Sequence, residues 1–454
     1  MSTDVVILAA GQGSRMKSHL PKVLHRLAGK ALVQHVIDQA NTLLDCALHV
    51  VVGHGADQVR DALSDQTCRF YLQSEQLGTG HAVAQAASGL HAEGVTLVLY
   101  GDVPLTPAHV LERMVQVAQQ DKVSLLTVKL DDPTGYGRII RSAVNDVVGI
   151  VEQKDASETQ LQIDEVNTGI MAMPTRYLNE WLPQLSSNNA QGEYYLTDLI
   201  AMAAESGITV EALHPGSEFE VQGVNNRRQL AELERWYQQQ QAFRAMGAGV
   251  TLADPARFDV RGVLTIGQDC LIDVNFIAEG SVTIGAGVSI GPNCVIKDAI
   301  IGDGVEILAN THIEGGQIAA RCQLGPFARI RPGTVLANGV KVGNFVETKK
   351  ANIAEGAKLN HLSYIGDAEV GKHVNVGAGT ITCNYDGVNK SQTVIGDGAF
   401  IGSNTSLVAP VTVGEGATVG AGSTITSTVK DNELAVARGK QRNLSGWKRP
   451  VKRG

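Results

Sequence analysis

Aromatic residues make up only 4% of this 454-residue chain, and cysteine is both scarce and scattered. Cys46, Cys68, Cys270, Cys294, Cys322 and Cys383 lie far apart, with no C-x-x-C and no paired spacing. That argues against a disulfide scaffold or a structural zinc site. No run of about eighteen apolar residues occurs, which excludes a helical membrane span. The formal net charge is −8 without a large basic block, so nucleic acid is not an expected partner. Met1-Ser2-Thr3-Asp4 supplies no positive stretch ahead of Val5–Leu8 and does not read as a signal peptide, which predicts a cytoplasmic globular protein. At about 150 residues per domain, the length predicts two to three domains. What is abundant is glycine, at 50 residues.

Residues 1–225 alternate short β-branched runs (Val5–Ala9, Leu48–Val52, Val95–Tyr100) with helical periodicity, as in Ala31–Leu44 and Thr79–Leu90. This predicts an α/β Rossmann-like domain on a parallel sheet, with ligands at the carboxyl ends of the strands. Over 226–248 the apolar residues Leu230, Leu233, Trp236, Tyr237 and Phe243 recur at mostly three- and four-residue steps, predicting a long α-helix stopped by Gly247 and Gly249. It reads as a linker, or else as one more packed helix of the first domain. Residues 249–454 obey a six-residue rule. Ile266, Ile272, Ile284, Ile290 and Ile296 are followed, after five-residue steps, by Ile301, Ile307, Ile313 and then Ile318, Leu324, Ile330, Leu336, Val342. Later registers run Ile353–Ile365, Val370–Val376 and Ile395–Ile425. Such hexapeptides mark a parallel β-helix of roughly nine three-sided coils, whose narrow interior admits aliphatic side chains and few rings. Its flat faces predict side-by-side association as a homotrimer, with a monomer as the alternative.

After the first strand, Leu8-Ala9-Ala10-Gly11-Gln12-Gly13-Ser14-Arg15-Met16 and Leu20-Pro21-Lys22 combine glycines that let backbone N–H groups approach phosphate with two neutralising cations. Tyr100-Gly101-Asp102 ends another strand with a hard oxygen ligand suited to Mg²⁺, although an Asp there is often only a turn or cap. Gln73, Gly78 and Thr79 precede a helix, and Gly137, Glu152, Asn167 and Asn225 are polar positions at strand edges.

The string L-A-A-G-x-G-[ST]-R-M…P-K resembles the sugar-1-phosphate nucleotidyltransferases. With the repeats attached, the chain resembles end to end the bacterial family of bifunctional N-acetylglucosamine-1-phosphate uridyltransferases and glucosamine-1-phosphate N-acetyltransferases. The resemblance implies a left-handed β-helix, UTP, acetyl-CoA and Mg²⁺, and synthesis of UDP-N-acetylglucosamine for cell-wall and lipid A precursors. It assigns Leu8, Ala9, Ala10, Gly11, Lys22, Gln73, Gly78, Thr79, Tyr100, Gly101, Asp102, Gly137, Glu152, Asn167 and Asn225 to the nucleotide-sugar site. Asp102 and Asn225 match the metal ligands, and Arg15 and Lys22 the groups that stabilise the triphosphate.

The repeat is interrupted around Arg331, Glu347–Lys350 and Lys358–Tyr364, and by an extruded segment over 382–390. The resemblance assigns Arg331, Lys349, Tyr364 and Asn375 to glucosamine 1-phosphate, and Ala378, Asn384, Tyr385, Ser403, Ala421 and Arg438 to acetyl-CoA. His361 matches the catalytic base, a role the chemistry requires because an amine attacks a thioester only as the free base. The tail from Arg438 to Gly454 carries seven Lys and Arg and no acid, which suits CoA phosphates or a merely disordered basic end. The competing expectation is a nucleotidyltransferase of single activity, adenylyl-transferring for example, with a purely structural β-helix.

Overall fold

The computed structural model describes residues 2–452. The chain divides into two compact units between Tyr237 and Gln238, inside the expected helix, which runs Arg227–Gly247. Among the described residues no helix is long and apolar enough to cross a membrane.

The first unit is built on a nine-stranded sheet. Its strands are β1 (Thr3–Ala9), β2 (Cys46–Val52), β3 (Arg69–Leu72), β4 (Val95–Tyr100), β5 (Val123–Lys129), β6 (Arg138–Arg141), β7 (Val147–Val151), β8 (Glu165–Pro174) and β9 (Val210–Leu213). The order is β9-β5-β8-β4-β1-β2-β3, with β6 pairing β8 and β7. All seven residues of β1 are buried, because helices cover both faces of its sheet. Val5, Ile7 and Ala9 join a core with Val36 and Leu111, while Val6 and Leu8 join another with Val83 and Leu199. The period of two is the pleat itself.

The alternation of strands and helices predicts a parallel sheet, and this sheet is only partly parallel. β4, β1, β2 and β3 are parallel, but β8 runs antiparallel to β4 and β5. β8 therefore presents its N-terminal end where its neighbours present their C-terminal ends. Asn167 and Gly169 come to the same sheet edge as Tyr100 by this reversal.

The second unit is a parallel β-helix with three faces. An eleven-stranded sheet forms the first face, from Thr251–Leu252 to Leu434–Ala435. A fourteen-stranded sheet supplies the second and third faces, joined by strands such as Phe258–Ile266 and Phe276–Ile284 that turn the corner between them. At one such corner Gly262 has φ 146°, and a Cβ there would lie 2.1 Å from the Gly280 carbonyl. The solenoid is longer than the nine coils expected. Its first and last levels carry Leu252 and Ala435 inside rather than the repeating Ile or Val.

Pairing of Ser289 with Glu306 and of Gln323 with Lys341 shows coils of seventeen and eighteen residues. The five-residue steps in the repeat are the short sides of the seventeen-residue coils. Every aliphatic residue of the repeat is buried except Ile266, which is half-buried and packs on the same core. A second inward position two residues earlier takes smaller groups, among them Ala357, Ala399 and Ala417. Cys270, Cys294 and Cys322 occupy it as well, their thiols donating to the carbonyls of Gly285 at 3.1 Å, Leu308 at 3.3 Å and Ala337 at 3.0 Å. All six cysteines are free. Inward rings occur early in the helix, where Phe258 and Phe276 stack at 5.4 Å.

Candidate active sites

In the first unit, the loops leaving β1 and β4 meet because the strands are parallel neighbours, and the Gly101 N–H donates to the Leu8 carbonyl at 2.9 Å. The Val224 N–H donates to the Asp102 carbonyl at 2.9 Å and brings Gly223–Asn225 alongside. Four side chains converge there. Arg15 Nη2 donates to Asn225 Oδ1 at 3.0 Å, and Lys22 Nζ donates to the same oxygen at 3.3 Å. Lys22 also pairs with the Asp102 carboxylate. Gly13 permits the approach, since a Cβ there would lie 2.6 Å from Lys22 Cβ.

The Asp102 carboxylate and the Asn225 carbonyl oxygen thus already face a cation, the Lys22 ammonium. Two hard oxygens in this arrangement fit Mg²⁺, which takes few protein ligands and completes its shell with phosphate and water. Among the described residues no three His, Cys, Asp or Glu side chains gather into a metal cage.

The remaining nucleotide-sugar candidates line the same edge. Gln73 is buried and donates to the Gly78 carbonyl at 3.1 Å. Gly78, at φ 112°, lies so close to the Tyr194 backbone that a Cβ would sit 2.6 Å from its carbonyl. Thr79 Oγ1 accepts from the Leu196 N–H at 3.1 Å. Gly169 packs on the Tyr100 ring, where a Cβ would lie 2.5 Å from it. The Asn167 N–H donates to the Gly137 carbonyl at 2.9 Å. Burial, with the nearby charges of Glu152 and Asp102, raises the Tyr100 phenol far above its ordinary value, so it is a neutral hydroxyl at any working pH. Burial also raises the Glu152 carboxyl, assisted by Asp155, Asp198 and Glu193 and opposed by a hydrogen bond from Thr197 Oγ1 at 3.1 Å.

In the second unit His361 closes the strand Lys358–His361 at the corner between the first and second faces. Its Nδ1 lies 2.7 Å from Asn344 Oδ1, one coil earlier. The amide oxygen can only accept, so Nδ1 carries the proton and Nε2 is left with a lone pair. The ladder aligns His361 with Ala378, Ala378 with Ser403, and Ser403 with Ala421. Backbone bonds run from Gly379 to His361 at 3.4 Å, from Asn404 to Ala378 at 2.8 Å and from Gly422 to Ser403 at 2.8 Å. Arg438 Nη1 donates to the Ala421 carbonyl at 2.6 Å. One corner column therefore leads from Arg438 past three small residues to His361, three strand spacings or about 14 Å from Ala421.

The cationic group lies at the other end of the second face. Lys349 has its ammonium lowered below the usual lysine value by Lys390, which it contacts, and by Arg331. Arg331 Nη1 donates to Glu347 Oε1 at 2.7 Å. Asn384 pairs with Asp367 one coil before it, and Tyr364 pairs in the ladder with Glu347 and Ile381. Tyr385 is exposed on the extruded segment, which closes on itself through a bridge to Lys390. That coil takes 25 residues, from Val376 to its partner Ile401. Asn375 stands apart from the cations, on the first face between Lys358 and Phe400.

The chain matches the model of the MobA-like NTP transferase domain over residues 5–246, more than half its length. It also matches the GMPPB C-terminal domain over 260–351 and the bacterial transferase hexapeptide (six repeats) over 392–427. It is 64% identical to the Bifunctional protein GlmU of Marinobacter nauticus across 99% of both chains. The identity to the proteins of that name from Cellvibrio japonicus and Pseudomonas entomophila is 60% and 58%, again over 99% or more of this chain. The chain belongs to the GlmU family. It is a bifunctional enzyme that joins an NTP-transferase half to a hexapeptide-transferase half.

For this GlmU chain the sequence left several site residues unmarked. Asn344 is found by stepping back one seventeen-residue coil from His361, a rule that needs the ladder register. Lys390 lay within a segment noted for its length rather than its charge. Thr197 carries no motif at all, and its partner is 45 positions away.

Proposed function

We propose that this GlmU-family chain makes UDP-N-acetylglucosamine in two steps. The second unit moves an acetyl group from acetyl-CoA to glucosamine 1-phosphate. The first unit then joins the product to UTP with release of pyrophosphate. The observation that carries the reading is the full-length likeness to GlmU proteins together with two separate clusters of the right chemistry.

For uridylyl transfer no general base is required, because a sugar phosphate with a second pKa near 6 is already largely a dianion at neutral pH. The obstacle is repulsion between anions. Arg15 and Lys22 stand where they would offset it, and Asp102 and Asn225 would hold Mg²⁺, which when bound supplies further neutralisation of the triphosphate. Gln73, Gly78 and Thr79 are placed for the nucleoside, and Gly137, Glu152 and Asn167 for the sugar.

For acetyl transfer His361 Nε2 takes the proton as the amine attacks the thioester carbonyl, and the thiolate of CoA leaves. Arg331 and Lys349 hold the sugar phosphate. Acetyl-CoA lies along the column of Ala378, Ser403 and Ala421, with Arg438 near its phosphates. His361 and the cations sit at opposite corners of one face, which favours a site completed between the β-helices of a trimer.

The test assays the two half-reactions separately in wild type, His361→Ala and Asp102→Ala: thiol release from glucosamine 1-phosphate and acetyl-CoA, and pyrophosphate release from supplied N-acetylglucosamine 1-phosphate, UTP and Mg²⁺. The expected result is that each variant loses only its own half-reaction, by about a hundredfold or more, as removal of a general base or charge-stabilising group does. Pyrophosphate release without any thiol release by wild type would reduce the β-helix to a scaffold.

A further inference from the structure

Thr197 caps the helix Asp198–Glu205, yet its side chain makes no capping hydrogen bond. A threonine at a helix N-cap ordinarily bonds a free N–H of the first turn. Here the hydroxyl, in a residue only 6% exposed, donates instead to Glu152 Oε1 at 3.1 Å. The backbone just before it is fixed from the opposite side of the site. Tyr194 N–H donates to the Leu77 carbonyl at 2.8 Å, Gly80 N–H donates to the Tyr194 carbonyl at 2.8 Å, and Leu196 N–H donates to Thr79 Oγ1 at 3.1 Å. Residues 194–197 thus tie the Gln73–Gly80 loop to the Glu152 carboxylate. Both Glu152 oxygens face Gly137, where a Cβ would lie 3.4 Å from each, so the absence of a side chain there leaves the carboxylate approachable.

We propose that Thr197 is a positioning residue for uridylyl transfer, holding Glu152 toward the sugar hydroxyls. This rests on the uridylyltransferase reading given above. The carboxylate needs such a fixed donor. It is largely buried, and Asp155, Glu193 and Asp198 around it all favour its neutral form, with the phenols of Tyr100 and Tyr195 also nearby. Without the hydroxyl, Glu152 loses both its fixed orientation and the hydrogen bond that opposes the rise of its carboxyl.

Thr197→Val removes the donor at constant volume, and Thr197→Ser keeps it. With the full-length chain, KM for N-acetylglucosamine 1-phosphate should rise roughly tenfold or more in Thr197→Val, as expected for loss of a hydrogen bond to a charged group. KM for UTP should stay within about twofold, since that end keeps its contacts. The acid limb of kcat/KM should move to higher pH, because the Glu152 carboxyl loses the bond that opposes its rise. Thr197→Ser should restore both readouts, and thiol release by the acetyl half should be unchanged in both variants, reporting a folded chain. A wild-type sugar-phosphate KM in Thr197→Val, an equal rise for both substrates, or failure of Thr197→Ser to rescue would overturn the assignment. Absence of pyrophosphate release by wild type would instead overturn the reading on which it rests, and the assignment with it.

Discussion

The Lys349–Lys390 contact places two ammonium groups together with Arg331 nearby, an arrangement that no anion-free fold favours. The ammonium of Lys349 is lowered, so it loses its proton at a lower pH than an ordinary lysine. A phosphate in contact favours the charged form, and affinity should fall as pH rises through that lowered value. Titration calorimetry with glucosamine 1-phosphate should show the fall on the alkaline side, and Lys390→Ala should move it upward, toward ordinary lysine behaviour. At His361 the decisive partner is Asn344. Asn344→Ala should lower acetyl transfer roughly tenfold with little change in the glucosamine 1-phosphate KM, as loss of tautomer and ring orientation predicts. Thiol-release kinetics would check it, with pyrophosphate release unaffected. Residues of this kind divide by how local their reason is. Arg15, Lys22 and Asp102 were legible because glycines, cations and a terminal acid follow strands within a few positions. Thr197 and Asn344 were not, since each matters only through a side chain brought to it by folding.

At the scale of elements the β-helix was the more readable half. Its aliphatic residues recur with the period of its sides, and nearly all are buried where the repeat placed them. Its second inward position was invisible because Val, Ala, Cys, Thr and Ser share it without a common hydropathy. The reversal of β8 was likewise hidden, since alternation along a strand is the same in either direction. Packing sets a clear expectation. Leu359, fully buried on the same strand as His361, should cost about 2–5 kcal/mol on replacement by alanine. Ile300 is 55% exposed on an outer face, and its alanine variant should stay within about 0.5 kcal/mol. Urea unfolding followed by circular dichroism would separate the two, and comparable losses at both sites would contradict the inward–outward assignment.

For the whole molecule the two activities should respond differently to dilution. The cluster around Asp102 is complete within one chain, whereas His361 and the Arg331–Lys349 group lie at separate corners. Sedimentation velocity should report a trimer, and conditions that dissociate it should abolish thiol release while leaving pyrophosphate release at close to its full rate. Thiol release that survives dissociation would place the acetyl site within one subunit. The corner column also has a numerical character that ordinary pockets lack. Distances along it come only in multiples of the strand spacing, about 4.8 Å, so if the column holds acetyl-CoA as proposed, Arg438 and His361 are the end marks of a gauge. Adding or deleting one coil between Ser403 and Ala421 would lengthen or shorten that gauge by one graduation without disturbing either terminus. A coenzyme of fixed reach would then touch one mark or the other, never both, and the length of acyl carrier the enzyme accepts would be set by counting coils.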